Sequence, residues 1–185
     1  MKKRILFLLP LMALCAGCSN LFEEQLDIYE NAITELEETV TLESLIDNVF
    51  NTETAIAGKL ANHSEEKDEA LQETLGEEYR IMKDSVHAVR VAYYRIADNL
   101  FATYTGHFVE KRILLYGKAA DSFDKAKSAE ELAAVDEALK RYSTMAYTEG
   151  QRACDPPVAI RNRYDSIKSL ARRKYDNALL RLPRW

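Results

Sequence analysis

Proline and glycine are almost absent after the first seventeen residues: prolines stand only at 156, 157 and 183, and glycines only at 58, 76, 106, 117 and 150. So few breakers exclude a fold of many short strands and tight turns, which draws on both residues repeatedly. Cysteine is as scarce, at positions 15, 18 and 154, so no internal disulfide framework is available. Histidine occurs only as His63, His87 and His107, at spacings that match no zinc motif. Asp84 and His87 share a helical face, but a di-iron carboxylate bundle needs two Glu-x-x-His pairs and further glutamates, and the second pair is missing. No Cys-x-x-Cys-His, phosphate-cradling glycine loop or nucleophile elbow is present. Acidic doublets such as Glu37-Glu38, Glu65-Glu66 and Glu77-Glu78 are solvated faces, because helix neighbours point apart. The reading is of no enzyme, no metal and no cofactor.

What is present begins with Lys2, Lys3 and Arg4, an apolar run from Ile5 to Leu14, and small residues at Ala16 and Gly17 before Cys18. A basic start, a short apolar stretch and a small-residue boundary make a secretion signal. At about ten residues the run falls short of the roughly twenty that span a hydrocarbon core, and Pro10 interrupts it. Ordinary cleavage of such a signal would release a soluble chain, because Cys15 and Gly17 also fit the small-x-small rule.

Leu14-Cys15-Ala16-Gly17-Cys18 resembles the lipobox of bacterial lipoproteins, departing from it in having Cys15 where leucine is usual. The resemblance covers the signal and its cleavage site alone. It implies a lipidated Cys18, residues 1–17 as signal peptide and 18–20 as a very short tether; by its length and apolar spacing the remainder, 21–185, is expected to be a single helical-bundle domain. Ser19 after the cysteine implies sorting to an outer membrane, with the periplasmic or surface face left open. Glu23 and Glu24 are faintly similar to a surface-export signal, although acidic residues near a helix start are commonplace.

The segment after Gly17 has a net charge of −8, unevenly spread: residues 18–84 hold 18 acidic and 4 basic side chains, and residues 85–185 hold 12 and 18. This asymmetry predicts pairing between early and late helices, the basic last helix being the natural partner of the acidic first one. A basic surface for acidic lipid, lipopolysaccharide or nucleic acid is the sharper alternative; nucleic acid is not among the expected partners. Cys154, in Cys154-Asp155-Pro156-Pro157, is unpaired and could link to another chain.

Apolar residues recur at three and four nearly throughout, predicting an all-α, elongated up-and-down bundle of about five or six helices. The first helix runs from Asn20 to Glu38 with Phe22, Leu26, Tyr29, Ile33 and Leu36 on one stripe. Thr39 or Thr41 caps the second, and Ser64 the third. Leu71, Leu75, Tyr79, Met82, Val86, Val89, Tyr93, Ile96 and Leu100 predict one long heptad-like helix, ended by Thr103–His107. Ser128 and Glu131 have capping-box spacing ahead of Leu132, Val135, Leu139 and Tyr142. After the prolines, Ile160, Tyr164, Ile167, Ala171 and Ala178 mark the last helix.

Tyrosine is plentiful on these stripes, which suits core packing with hydroxyls reaching an edge. An aromatic groove around Tyr93, Tyr94, Phe101 and Tyr104 is the functional alternative. Together the features predict a non-catalytic envelope lipoprotein acting as spacer, adaptor or complex subunit. Its partners are a membrane and another envelope protein. The second reading is a carrier or sensor with a small or lipidic ligand between helices.

Overall fold

The computed structural model describes residues 20–39, 41–61, 63–148 and 156–182, and within them every regular element is a helix. There are seven: α1 (Asn20–Glu37), α2 (Leu42–Ala61), α3 (Glu65–Leu75), α4 (Glu77–Tyr104), α5 (Phe108–Lys125), α6 (Ala129–Thr148) and α7 (Val158–Arg181). The chain is an all-α bundle with one short helix beyond the expected five or six. Cys18 and Cys154, with the signal segment, lie outside the described residues.

The boundaries follow local chemistry. Thr41 Oγ1 accepts the Ser44 N–H at 3.1 Å to open α2, and Ser64 Oγ accepts the Lys67 N–H at 3.3 Å to open α3. His107 caps α5: its Nδ1 accepts from the Val109 N–H, while the Glu110 carboxylate accepts from the backbone of Gly106 and His107. Ahead of α6, Ser128 Oγ accepts from the Glu131 N–H as anticipated, but the Glu131 carboxylate reaches back one residue further, to the Lys127 N–H at 2.8 Å.

The predicted single helix through residues 71–100 is two helices, broken at Gly76. This residue adopts φ 54°, ψ −117°, a region that a side chain makes costly, and its N–H closes the end of α3 on the Gln72 carbonyl. A Cβ there would meet nothing within 4 Å, so any penalty is backbone strain alone. Gly76→Ala is expected to lower stability by about 1–3 kcal/mol, read as a fall in the urea midpoint with unchanged slope.

α2 is the central helix, packing on α1, α4, α5 and α6, while α7 lies mainly on α5 and also on α6. Ala57, Ala134 and Ala138 form a small-residue seam along which α2 and α6 pack. The side-chain contacts fix the directions. Phe22 meets Tyr79 and Tyr29 meets Tyr93, so α1 and α4 run the same way; Glu24 pairs with Lys59, so α2 runs back against α1. Tyr116 meets Tyr164 and Phe123 meets Tyr175, so α7 is parallel to α5, with α6 returning between them.

The expected pairing of the first and last helices is not what the fold does. α7 turns Lys174 to Asp124 (2.7 Å) and Asp121 (3.7 Å) of α5, and α1 packs on α4 and α2. Early and late segments do pair, but through α2: Asp47 binds Lys118 of α5 and Glu53 binds Arg141 of α6. The linear charge pattern told the halves apart without telling which helices become neighbours.

Candidate functional site

The polar groups that stand out are at the centre of the bundle. Tyr29, Asn48, Glu53 and Tyr93 project from α1, α2 and α4 at positions whose neighbours along each helix are core residues, and Arg141 enters from α6. Glu53 is only 1% exposed. Its Oε1 accepts the Tyr29 hydroxyl at 2.9 Å and its Oε2 accepts Arg141 Nε at 2.9 Å, while Arg141 Nη2 reaches the Tyr29 oxygen at 3.3 Å. Each member of the triad therefore touches the other two, and three helices are fixed at one level.

Asn48 forms a second junction. Its Nδ2 donates to the Ala32 carbonyl (3.1 Å) and Glu35 Oε2 (3.0 Å), and its Oδ1 accepts the Tyr93 hydroxyl at 2.9 Å. The rings make a continuous run beside these groups: Tyr29 to Tyr93, Tyr93 to Tyr94 and Tyr94 to Tyr142, with centroids 5.4 to 5.8 Å apart. The Arg90 guanidinium lies 5.7 Å from the Tyr94 ring. Toward the opposite end from the α1 start, Lys111, 3% exposed, donates to Asp98 at 2.6 Å and sits 5.9 Å over the Tyr142 ring.

Electrostatics hold the four phenols and the Arg141 guanidinium in one protonation state. Burial pushes the Tyr29 hydroxyl well above the ordinary phenol range, with Glu53 adding to it, and burial does the same for Tyr93, Tyr94 and Tyr142. For Arg141 burial acts to lower the pKa, but the Glu53 charge and the hydrogen bonds to Glu53 and Tyr29 outweigh it, and the net shift is upward. All of these move away from neutrality, the opposite of what proton transfer near pH 7 requires. Tyr29 and Tyr93 donate as neutral phenols, and the Arg141 guanidinium meets the Glu53 carboxylate.

The aromatic set singled out from sequence divides. Tyr93, Tyr94 and Phe101 are buried at 2% exposure or less and act as core, whereas Tyr104 is 41% exposed at the end of α4. Asp84 and His87 are exposed on α4, and among the described residues no group of three or more His, Cys, Asp or Glu is placed to hold a metal. His63 instead contacts Asp68 at 3.2 Å, and the Asp68 carboxylate accepts the Tyr79 hydroxyl at 2.7 Å, tying α3 to α4. A void of about 10 Å³ lined by Val49, Phe50, Glu53, Leu115, Ala138, Leu139 and Tyr142 has room for about one water.

Sequence reasoning had singled out neither Glu53 nor Arg141. The available signal was Glu53 between Val49-Phe50 and Ile56-Ala57, an acidic residue on the apolar stripe of α2, with Arg141 next to core Tyr142. None of the described helices is long and apolar enough to cross a membrane. The chain matches no protein-family model, no curated protein and no solved structure.

Proposed function

We propose that this chain is a lipoprotein of a bacterial cell envelope, anchored through acylated Cys18. In this reading its bundle is a non-catalytic spacer, adaptor or subunit for another envelope protein. The observation that carries it is Leu14-Cys15-Ala16-Gly17-Cys18 behind a basic start and a short apolar run, two residues ahead of the first turn of α1. Each buried acyl methylene contributes about 0.8 kcal/mol, and two chains give stable anchorage where one does not. Residue 19 as serine supports the outer membrane as its destination.

The interior supports a structural role for the domain. The buried Tyr29–Glu53–Arg141 junction and the Asn48 junction fix helix register, which suits a stiff spacer. The carrier reading finds less support at the bundle centre, since the void beside Glu53 is about 10 Å³ and a drug-sized ligand takes a few hundred. Nothing in this arrangement calls for a bound cofactor.

Labelling cells with a palmitate analogue tests the anchor. The expected result is label on the wild-type chain, a mature N-terminus bearing acyl mass on Cys18, and fractionation with membranes. Cys18→Ser is expected to lose the label entirely and to leave the membrane fraction or persist at precursor mass. A mature protein with a free Cys18 thiol would overturn the proposal.

A further inference from the structure

The directions of the helices bring together two parts of the chain that lie at its extremes in sequence. The start of α1 is beside the end of α2, through Glu24 and Lys59, and the end of α2 is beside the start of α6, through Ala57, Ala134 and Ala138. The start of α6 follows the end of α5 across the short Ala126–Ser128 turn. There Arg181, in the last turn of α7, donates from Nη2 to the carbonyls of Phe123 (3.3 Å) and Ala126 (3.1 Å). The first turn of α1 and the last turn of α7 are therefore at one end of the bundle. Cys18 is two residues before Asn20, within about 7 Å of it at full extension, so an anchor on Cys18 holds this end against the lipid.

That end bears the features of a membrane contact on the α7 side. α7 is an edge helix that packs through Ala171, Tyr175 and Ala178, and its outer surface exposes Leu179 at 44% and Leu180 at 74%. Leu180 is the most exposed large hydrophobic side chain among the described residues, and Leu179 stands next to it. Exposed cations surround them: Arg172 and Arg173 one to two turns earlier, and Lys125 and Lys127 at the end of α5. Of the nearby carboxylates, Asp121 and Asp124 face Lys174, Asp176 pairs with Arg172, Glu131 accepts from the Lys127 N–H, and Glu130 is exposed at the start of α6. Acidic α3, which joins α2 to α4 at the same end and packs on α4 rather than on α5 or α7, exposes Glu66, Glu69 and Glu73. Exposed acid is thus gathered at α3, while exposed cations lie beside the leucine pair of α7.

We propose that the last turns of α7 rest on an anionic bilayer surface, Leu179 and Leu180 entering the headgroup boundary and Lys125, Lys127 and Arg173 facing lipid phosphates. The proposal rests on the anchor reading for its geometry: Cys18 and the leucine pair are two attachment points on one end, and together they fix the tilt of the bundle. The anchor confines α7 to the neighbourhood of the surface, so the second contact needs only modest intrinsic affinity. Apolar burial and attraction to anionic headgroups act together, as they do for interfacial helices.

The test uses the chain from residue 18 onward with Cys18→Ser, which retains every described helix and has no lipid. It is mixed with phosphatidylglycerol vesicles and, separately, phosphatidylcholine vesicles. Trp185, the sole tryptophan, follows Leu182 by three residues and serves as the reporter. Binding to phosphatidylglycerol with a blue shift of its emission, falling with added salt, is expected, and little binding to phosphatidylcholine. Leu179→Ser with Leu180→Ser should weaken partitioning about tenfold at unchanged helicity, and Lys125→Glu with Lys127→Glu should do so at low salt. No binding to phosphatidylglycerol, or binding indifferent to the leucine pair, overturns the proposal. Palmitate labelling of Cys18 is scored on the wild-type chain: absent label with vesicle binding intact sinks the anchor and supports the surface contact, and the reverse sinks the contact alone.

Discussion

Arg141→Met is expected to destabilise the bundle by about 3–5 kcal/mol, because it removes one partner of a buried ion pair and leaves the other uncompensated. Glu53 is 1% exposed, so the charge left without its guanidinium is a buried one. The Tyr29 hydroxyl still donates to Oε1, but Oε2 loses its charged donor. Domains of this size are stable by roughly 5–15 kcal/mol, so the loss is a large fraction of the whole. Chemical denaturation followed by helical circular dichroism checks it. The pair should be strongly coupled: Glu53→Gln combined with Arg141→Met removes both charges and should cost well below the sum of the single changes. Additive losses, or a cost for Arg141→Met below about 1 kcal/mol, the range of exposed pairs, would show that the triad does not hold the helices.

Much of the fold was legible in the sequence because helices depend on local information. Scarce glycine and proline, the three-and-four spacing, and the caps Thr41 and Ser64 needed no knowledge of neighbours. What failed depended on tertiary detail. The heptad reading placed Tyr79, Met82, Val86 and Tyr93 correctly in the core and Val89, Ile96 and Leu100 half-buried against it, but it missed Ala97 and Phe101 as members of the fully buried stripe of α4. Tyr79, Val86 and Tyr93 keep a seven-residue step, after which the buried side moves on by one position to Tyr94, Ala97 and Phe101, as a straight helix drifts from a seven-residue register by about 20° per heptad. Gly76 looked like a tolerated glycine within a helix, since its positive φ has no sequence signature of its own.

The central polar site was hidden for a related reason. Glu53 is one acidic residue among many in the first half of the chain, and its partners are 24 and 88 residues away. Composition shows that charges exist; only the packing of α2 against α1 and α6 shows which of them lost its water. The same holds at the far end of the bundle, where the last turn of α7 comes beside the end of α5 only because α6 reverses the chain between them in sequence.

Tyr93 separates what the aromatic core contributes by packing from what it contributes by hydrogen bonding. Tyr93→Ala should cost about 3–5 kcal/mol, as loss of a large buried ring does where surrounding structure relaxes only partly. The ring is wholly buried between Tyr29 and Tyr94, so its removal opens a cavity against two helices. Tyr93→Phe keeps that packing and deletes one donor. Asn48 cannot compensate by turning its amide, because Nδ2 is committed to the Ala32 carbonyl and Glu35, so Oδ1 is left buried without a proton. An unsatisfied buried acceptor costs about 1–3 kcal/mol. Asn48→Leu in the Tyr93→Phe background should then recover part of that loss, since both ends of the bond are gone. If Tyr93→Phe instead melts with the wild type, the Asn48 junction is dispensable, and the Tyr29–Glu53–Arg141 triad alone sets the register of α1 and α2.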